Sequence, residues 1–206
     1  MTIRMNTILA GAGALVVSGF LAATAQAAGQ ATLNNLQAAY NGESNAQARY
    51  LAFAKTADQE GYAGVASLFR AAARAEEIHA GNHAAVIRKM GATPKANIET
   101  PKVASTRENL QAAIKGETYE RDEMYPAFLA QARQEANTDA IQTFNYAKTA
   151  ETEHAKLYTL ALNNMENMRS RTNYFVCPVC GYTTAKLNFK YCPSSFTPAS
   201  RYEKIN

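Results

Sequence analysis

Apolar residues recur every three to four positions along four long stretches of the chain, the spacing that holds them on one face of an α-helix. The first predicted helix covers about residues 32–60, with Leu36, Tyr40, Glu43, Gln47, Tyr50 and Ala54 along one stripe, and Gly61 ends it. The second covers about 62–90 and stops at Gly91. The third opens at Ser105-Thr-Arg-Glu108, a capping-box pattern that satisfies the free amides of a first turn. It reaches about Ala136, with a kink expected at Pro126, which has no amide hydrogen to give to the helix. The fourth covers about 138–167. Residues 91–104, with Pro94 and Pro101, make a long crossover between two helical hairpins. That connectivity predicts an all-α, ferritin-like four-helix bundle over residues 32–168.

Both ends of the chain break the pattern. Residues 173–206 are rich in aromatics, Pro, Thr and Ser, without helical periodicity, and read as a small C-terminal domain that needs a staple to hold together. At the other end Arg4 precedes an apolar run, and Ala25-Gln-Ala27 has the form of a cleavage site. Residues 1–27 therefore read as a secretory signal peptide, with the mature chain in the periplasm; an uncleaved membrane anchor is the alternative. No twin arginine is present, which favours export of an unfolded chain and metal loading outside.

Hydrophobic residues make up 47% of the 206, and the net charge of +4 is spread along the chain. No basic face with interleaved aromatics supports a nucleic-acid role. Arg74, Lys148 and Lys156 fall on intervening helical faces and are expected to be solvated.

The chemistry lies in a duplication. Leu36-Gln-Ala-Ala-Tyr-Asn-Gly-Glu43 recurs as Leu110-Gln-Ala-Ala-Ile-Lys-Gly-Glu117, and Glu76-Glu-Ile-His79 recurs as Glu151-Thr-Glu-His154, at offsets of 74 and 75 residues. Residues three apart share a helix face. Two helices thus offer a Glu each and two offer a Glu-x-x-His each, the ligand set of a carboxylate-bridged di-metal site. Glu120 adds a fifth carboxylate one turn beyond Glu117. Buried carboxylates without cations would each cost several kcal/mol, against a total domain stability of about 5–15 kcal/mol. Such ligands suit iron or manganese, and zinc also binds them.

Gly42-Glu-Ser-Asn, Gly116-Glu-Thr-Tyr-Glu120 followed by Met124-Tyr-Pro126, and both Glu-x-x-His motifs resemble rubrerythrin, over essentially all of residues 32–206. The resemblance implies a di-iron bundle followed by a rubredoxin-like domain. It makes Glu43, Glu76, His79, Glu117, Glu120, Glu151 and His154 the ligands of two iron ions, with Glu76 and Glu151 bridging. It also implies that Glu120 exchanges with His79 as the iron changes oxidation state. Tyr50 and Tyr125 match tyrosines that hydrogen-bond to bridging carboxylates, although ordinary core packing accounts for them equally well. His83, one turn beyond His79, is expected to be partly exposed rather than a partner of the site.

Cys177-Pro-Val-Cys180-Gly181-Tyr182 is the first half of a rubredoxin-type knuckle, but the second half reads Cys192-Pro-Ser-Ser195, with serine at the fourth ligand position. Three readings are open: iron on three thiolates and the Ser195 oxygen, zinc with Ser195 or water, or no metal and an oxidised Cys177–Cys180 pair.

The family points to an NADH-linked peroxidase that reduces hydrogen peroxide to water. Its electrons would return through the C-terminal iron, usually from the neighbour in a head-to-tail homodimer or larger homo-oligomer. The donor protein or reductase is not legible. The rival functions are a ferritin-like ferroxidase handling iron with a degenerate knuckle, and a zinc-loaded structural relic.

Overall fold

The computed structural model describes residues 29–206, so the expected signal peptide lies outside the described residues. Four long helical rods form the bundle: α1 (Gln30–Gln59), α2 (Ala63–Lys89), a third rod made of α3 (Thr106–Tyr119), a π-helical turn (Glu120–Met124) and α4 (Tyr125–Gln134), and α5 (Thr138–Asn163). Among the described residues no helix is long and apolar enough to cross a membrane.

The expected start signal of the third rod is present. Ser105 accepts from the Glu108 amide while the Glu108 side chain accepts from the Ser105 amide. The irregularity expected at Pro126 takes the form of a π-turn just before it, in which the Tyr125 amide reaches back to the Glu120 carbonyl. One extra residue in the turn re-aims the side chains around Glu120, a device frequent at functional sites.

The crossover is held by a ladder that the apolar pattern does not reveal. Gln37, Asn41 and Asn45, four residues apart and so on one face of α1, bond the backbone at Thr93, Lys95, Asn97 and Glu99 with side-chain amides.

Two apolar clusters fill the bundle. One holds Tyr50, Phe53, Phe69, Leu110 and Tyr158; the other holds Leu36, Ile87, Tyr125, Leu129 and Phe144. Along α1, α2 and α5 the buried charged residues lie between these clusters, so the polar layer is shut off from both ends of the bundle.

The C-terminal segment is a three-stranded antiparallel sheet in the order β2-β1-β3, with β1 at Tyr174–Val176, β2 at Thr183–Thr184 and β3 at Glu203–Ile205. It is docked on the bundle, mostly against α2, rather than standing apart. The lead-in crosses the start of α2 where the Gly64 amide donates to the Met168 carbonyl at 2.9 Å. A Cβ at Gly64 would sit 2.8 Å from the Ser170 carbonyl oxygen, so no side chain fits. Arg74, expected to be solvated, instead grips Glu203 through two bonds of 2.7 and 2.9 Å. Its fork geometry matches a carboxylate in β3 that sequence periodicity could not place beside it. Lys156 is exposed and pairs with Glu153, whereas Lys148 is half-buried.

Candidate metal centre

The helical spacings bring six side chains into one buried layer. Glu43, Glu76, His79 and Glu151 form one group, and Glu76, Glu117, Glu151 and His154 form a second, each with ligand atoms within 4.8 Å of one another. Glu76 and Glu151 belong to both. His79 Nδ1 lies 2.8 Å from Glu76 and 3.1 Å from Glu151. His154 Nδ1 lies 2.8 Å from Glu151 and 3.4 Å from Glu76. Glu43 approaches only the His79 side and Glu117 only the His154 side, at 4.0 and 3.6 Å. Each group therefore has one histidine, one carboxylate of its own and a share in two carboxylates between.

The donor set fits two divalent cations. One oxygen of each carboxylate, Glu43 Oε2, Glu76 Oε1, Glu117 Oε2 and Glu151 Oε1, is buried without a hydrogen-bond partner. Four ionised carboxylates also balance two divalent charges, and oxygen with imidazole suits iron or manganese.

The electrostatics of the protein groups say the same. Burial pushes the Glu43 and Glu117 carboxyls well above their usual range, and the neighbouring Glu76 and Glu151 push them further. Burial alone would pull both histidines down, but it is outweighed by Glu151 and Glu76 at His79 and by Glu76 and Glu117 at His154, so both are raised. Glu151, held between the two histidines, stays below the usual carboxylate range despite its burial. Without cations the site stores protons; cations would displace them.

The C-terminal knuckle sets how the histidines present themselves. His79 Nε2 lies 3.1 Å from the Cys180 carbonyl oxygen, which can only accept, so Nε2 carries the proton and Nδ1 turns its lone pair toward the carboxylates. His154 Nε2 lies 3.0 Å from Thr183 Oγ1, and that hydroxyl donates to the Gly181 carbonyl. Partners of this kind fix ring orientation and tautomer. Gly181 is required twice over: its φ of 74° is left-handed, and a Cβ there would run into the His79 ring.

Tyr50 donates to Glu117 at 2.5 Å, and Tyr125 donates to Glu43, so both tyrosines bind the outer carboxylates of the layer rather than the expected bridging pair. Glu120 stands apart from both groups, and the expected exposure of His83 needs correction. Glu120 is half-buried at the start of the π-turn and belongs to neither group, although burial, then Glu43 and Glu117, raise its carboxyl. His83 is fully buried rather than partly exposed, between the Tyr125 and Phe144 rings, and burial pushes it down to about 3. Its signal in the sequence was its position one turn beyond His79 on the same face. The roles of Cys180 and Thr183 had none, because their partners lie about a hundred and about thirty residues away.

In the knuckle all three cysteines are free and buried. Cys180 and Cys192 sulfurs are 3.5 Å apart, and Ser195 Oγ lies 3.3 Å from Cys177 Sγ and 2.8 Å from Thr197 Oγ1. Phe196 takes a left-handed φ of 59°, as Gly181 does in the first half, so the second turn keeps its shape with serine at the fourth corner. Hydrogen bonds from Cys177 and then Cys180 hold the Cys192 thiol well below its ordinary value, favouring a thiolate. Three sulfurs and one hydroxyl at these spacings suit a tetrahedral metal.

A family profile named rubrerythrin matches residues 34–162. Nigerythrin of Nitratidesulfovibrio vulgaris is 40% identical over 172 residues, which cover 83% of this chain and 85% of that protein. Rubrerythrin-2 of Clostridium acetobutylicum is 38% identical over 166 residues, covering 79% and 90%. A solved structure described as the fully reduced, all-ferrous state of nigerythrin superposes with a TM-score of 0.79 at 39% identity, covering 84% of this chain and 86% of that one. A bacterioferritin from Desulfovibrio desulfuricans, at 19% identity and a TM-score of 0.63, shares the bundle fold.

Proposed function

The chain belongs to the rubrerythrin family, and on that premise we propose that it is a peroxidase reducing hydrogen peroxide to water. The observation that carries the reading is the pair of shared carboxylates, Glu76 and Glu151, flanked by one histidine each and contacted through His79 by the cysteine knuckle. Held by Glu43, Glu76, His79, Glu117, Glu151 and His154, two iron ions would supply the two electrons that cleavage of the O–O bond requires.

Every other task falls to the protein. Glu43 with His79, and Glu117 with His154, hold the two ends of the site. Glu76 and Glu151 keep those ends together, and Tyr50 and Tyr125 fix the outer carboxylates by hydrogen bonds. The apolar clusters on both sides exclude water and strengthen each electrostatic contact. Glu120, at the start of the π-turn, would join as a fifth carboxylate when the site's positive charge rises.

Electrons would enter at Cys177, Cys180 and Cys192 and leave through the Cys180 carbonyl to His79, a path of one residue and one hydrogen bond. A head-to-tail dimer would offer the same contact from its neighbour's knuckle. The ultimate donor would be an NADH-linked reductase or redox protein. With residues 1–27 read as a signal, the reaction belongs to the periplasm.

In steady state with an excess of a chemical reductant, we expect two electrons consumed per peroxide and no dioxygen released. Dioxygen evolution, or accumulation of iron far beyond three per chain, would contradict the proposal. Ser195 favours a second reading, a ferroxidase whose knuckle has lost its redox role. Ser195→Cys separates the two. If iron occupies the knuckle, the fourth thiolate adds or sharpens sulfur-to-iron charge-transfer bands, whereas a domain that stays colourless with iron rules out a redox knuckle.

A further inference from the structure

One line of polar groups connects the buried layer to the surface. Thr143 lines a surface cavity of about 240 Å³ between α2 and α5, together with Asn82, Lys89, Asp139 and Gln142. Its hydroxyl lies 2.9 Å from His83 Nδ1, His83 Nε2 lies 3.2 Å from the Tyr125 hydroxyl, and that hydroxyl bonds Glu43. An ionised Glu43 can only accept, so the Tyr125 proton points at it. The Tyr125 oxygen then accepts from His83 Nε2–H, and His83 Nδ1 must accept from Thr143. All three donors point inward, from cavity to site.

The duplicated half provides an internal comparison. At an offset of 75 residues the counterparts of Tyr125, His83 and Thr143 are Tyr50, Tyr158 and Leu68. Tyr50 bonds Glu117 just as Tyr125 bonds Glu43, but the line stops there. The Tyr158 hydroxyl is buried without a partner, and Tyr50, Phe69 and Tyr158 pack as an aromatic cluster beside Leu68. Core packing of this architecture is thus met by aromatic and aliphatic side chains in one half, with no hydrogen-bonded line through them. The other half places an imidazole and a hydroxyl in register, at the cost of burying them.

Resting on the peroxidase reading, we infer that Thr143, His83 and Tyr125 form a proton wire from the α2–α5 cavity to Glu43. Reduction of one hydrogen peroxide to two waters breaks the O–O bond and takes up two electrons and two protons. The electrons would come from the redox metals that the site holds and be restored by the external reductant; the protons must enter a bundle whose two ends are closed by apolar clusters. In each transfer Thr143 gives its proton to His83 Nδ1 and regains one from cavity water. His83 gives up Nε2–H to Tyr125, and Tyr125 gives its proton to Glu43 for the reacting oxygen. The wire resets when the imidazole returns to its Nε2–H tautomer.

The test uses the full chain loaded with ferrous iron, its metal content checked, and mixed rapidly with hydrogen peroxide in H2O and in D2O. Thr143→Val is isosteric and should slow ferrous oxidation by about a hundredfold or more, the low end of a positioned proton donor's contribution, and enlarge the solvent isotope effect. Thr143→Ser should restore the rate, His83→Phe should reproduce the defect, and Tyr158→Phe in the other half should leave the rate unchanged. Thr143→Val and His83→Phe proteins that load metal and keep the wild-type rate and isotope effect would overturn the wire. If the wild type reacts slowly with peroxide but quickly with oxygen, the peroxidase reading fails. The same variants are then compared on the oxygen reaction, whose reduced products also need protons, and the same two outcomes decide.

Discussion

The Glu43→Gln/Glu117→Gln protein should bind no metal tightly, yet its metal-free bundle should melt at or above the temperature of the metal-free wild type. Both carboxyls are buried with one unpartnered oxygen each and are raised well above the usual range by burial. A carboxyl raised in the folded state holds a proton that the unfolded chain has already lost. Its contribution to stability is therefore complete below the ordinary carboxylate value and fades as the pH rises toward the folded value. At neutral pH the metal-free wild type carries that loss and the glutamine variant does not. Metal reverses the order. A ligand at a thousand times its Kd adds about 4 kcal/mol, or roughly 8–16 °C in Tm for a domain of this size. Ferrous or manganous ion should raise the wild-type Tm by about that much and leave the variant unmoved. A variant stabilised by metal as strongly as the wild type would remove Glu43 and Glu117 from the site.

Gly181→Ala should uncouple the knuckle from the bundle. The residue has a left-handed φ of 74°, where a Cβ is strained, and the new methyl would run into the His79 ring. The backbone cannot retreat without breaking the Cys180 carbonyl bond to His79 Nε2 and pulling Thr183 from His154. Strain and clash together should cost about 3 kcal/mol, a fall in Tm of roughly 6–12 °C. The functional effect should be larger, since both histidines lose the partners that fix their tautomers, which typically costs 10–100-fold in metal affinity or activity. Re-reduction of the oxidised site should slow by a similar factor. A Gly181→Ala protein with wild-type Tm and re-reduction rate would contradict the docking.

The duplicated Glu and Glu-x-x-His motifs were enough to bring Glu43, Glu76, His79, Glu117, Glu151 and His154 together, because helical spacing fixes which residues share a face and connectivity fixes which faces meet. Helix limits fell within a few residues of Gly61, Gly91 and Ser105, where capping chemistry is local. What could not be read depends on contacts distant in the chain. Arg74 and Glu203 are 129 residues apart, and nothing in either neighbourhood announces the other. The π-turn at Glu120–Met124 has no periodic signature beyond the proline after it, so the half-buried position of Glu120 does not show in the helical spacing. The burial of His83 is set by Tyr125 and Phe144 on other rods, which the spacing along its own helix does not register.

The most direct test of the account is rapid mixing of the anaerobic diferrous protein with hydrogen peroxide and, separately, with oxygen, following the ferric absorbance. The account predicts oxidation by peroxide at least about tenfold faster than by an equal concentration of oxygen, a difference of about 1.4 kcal/mol in barrier. Faster oxidation by oxygen, or none by peroxide, would contradict it.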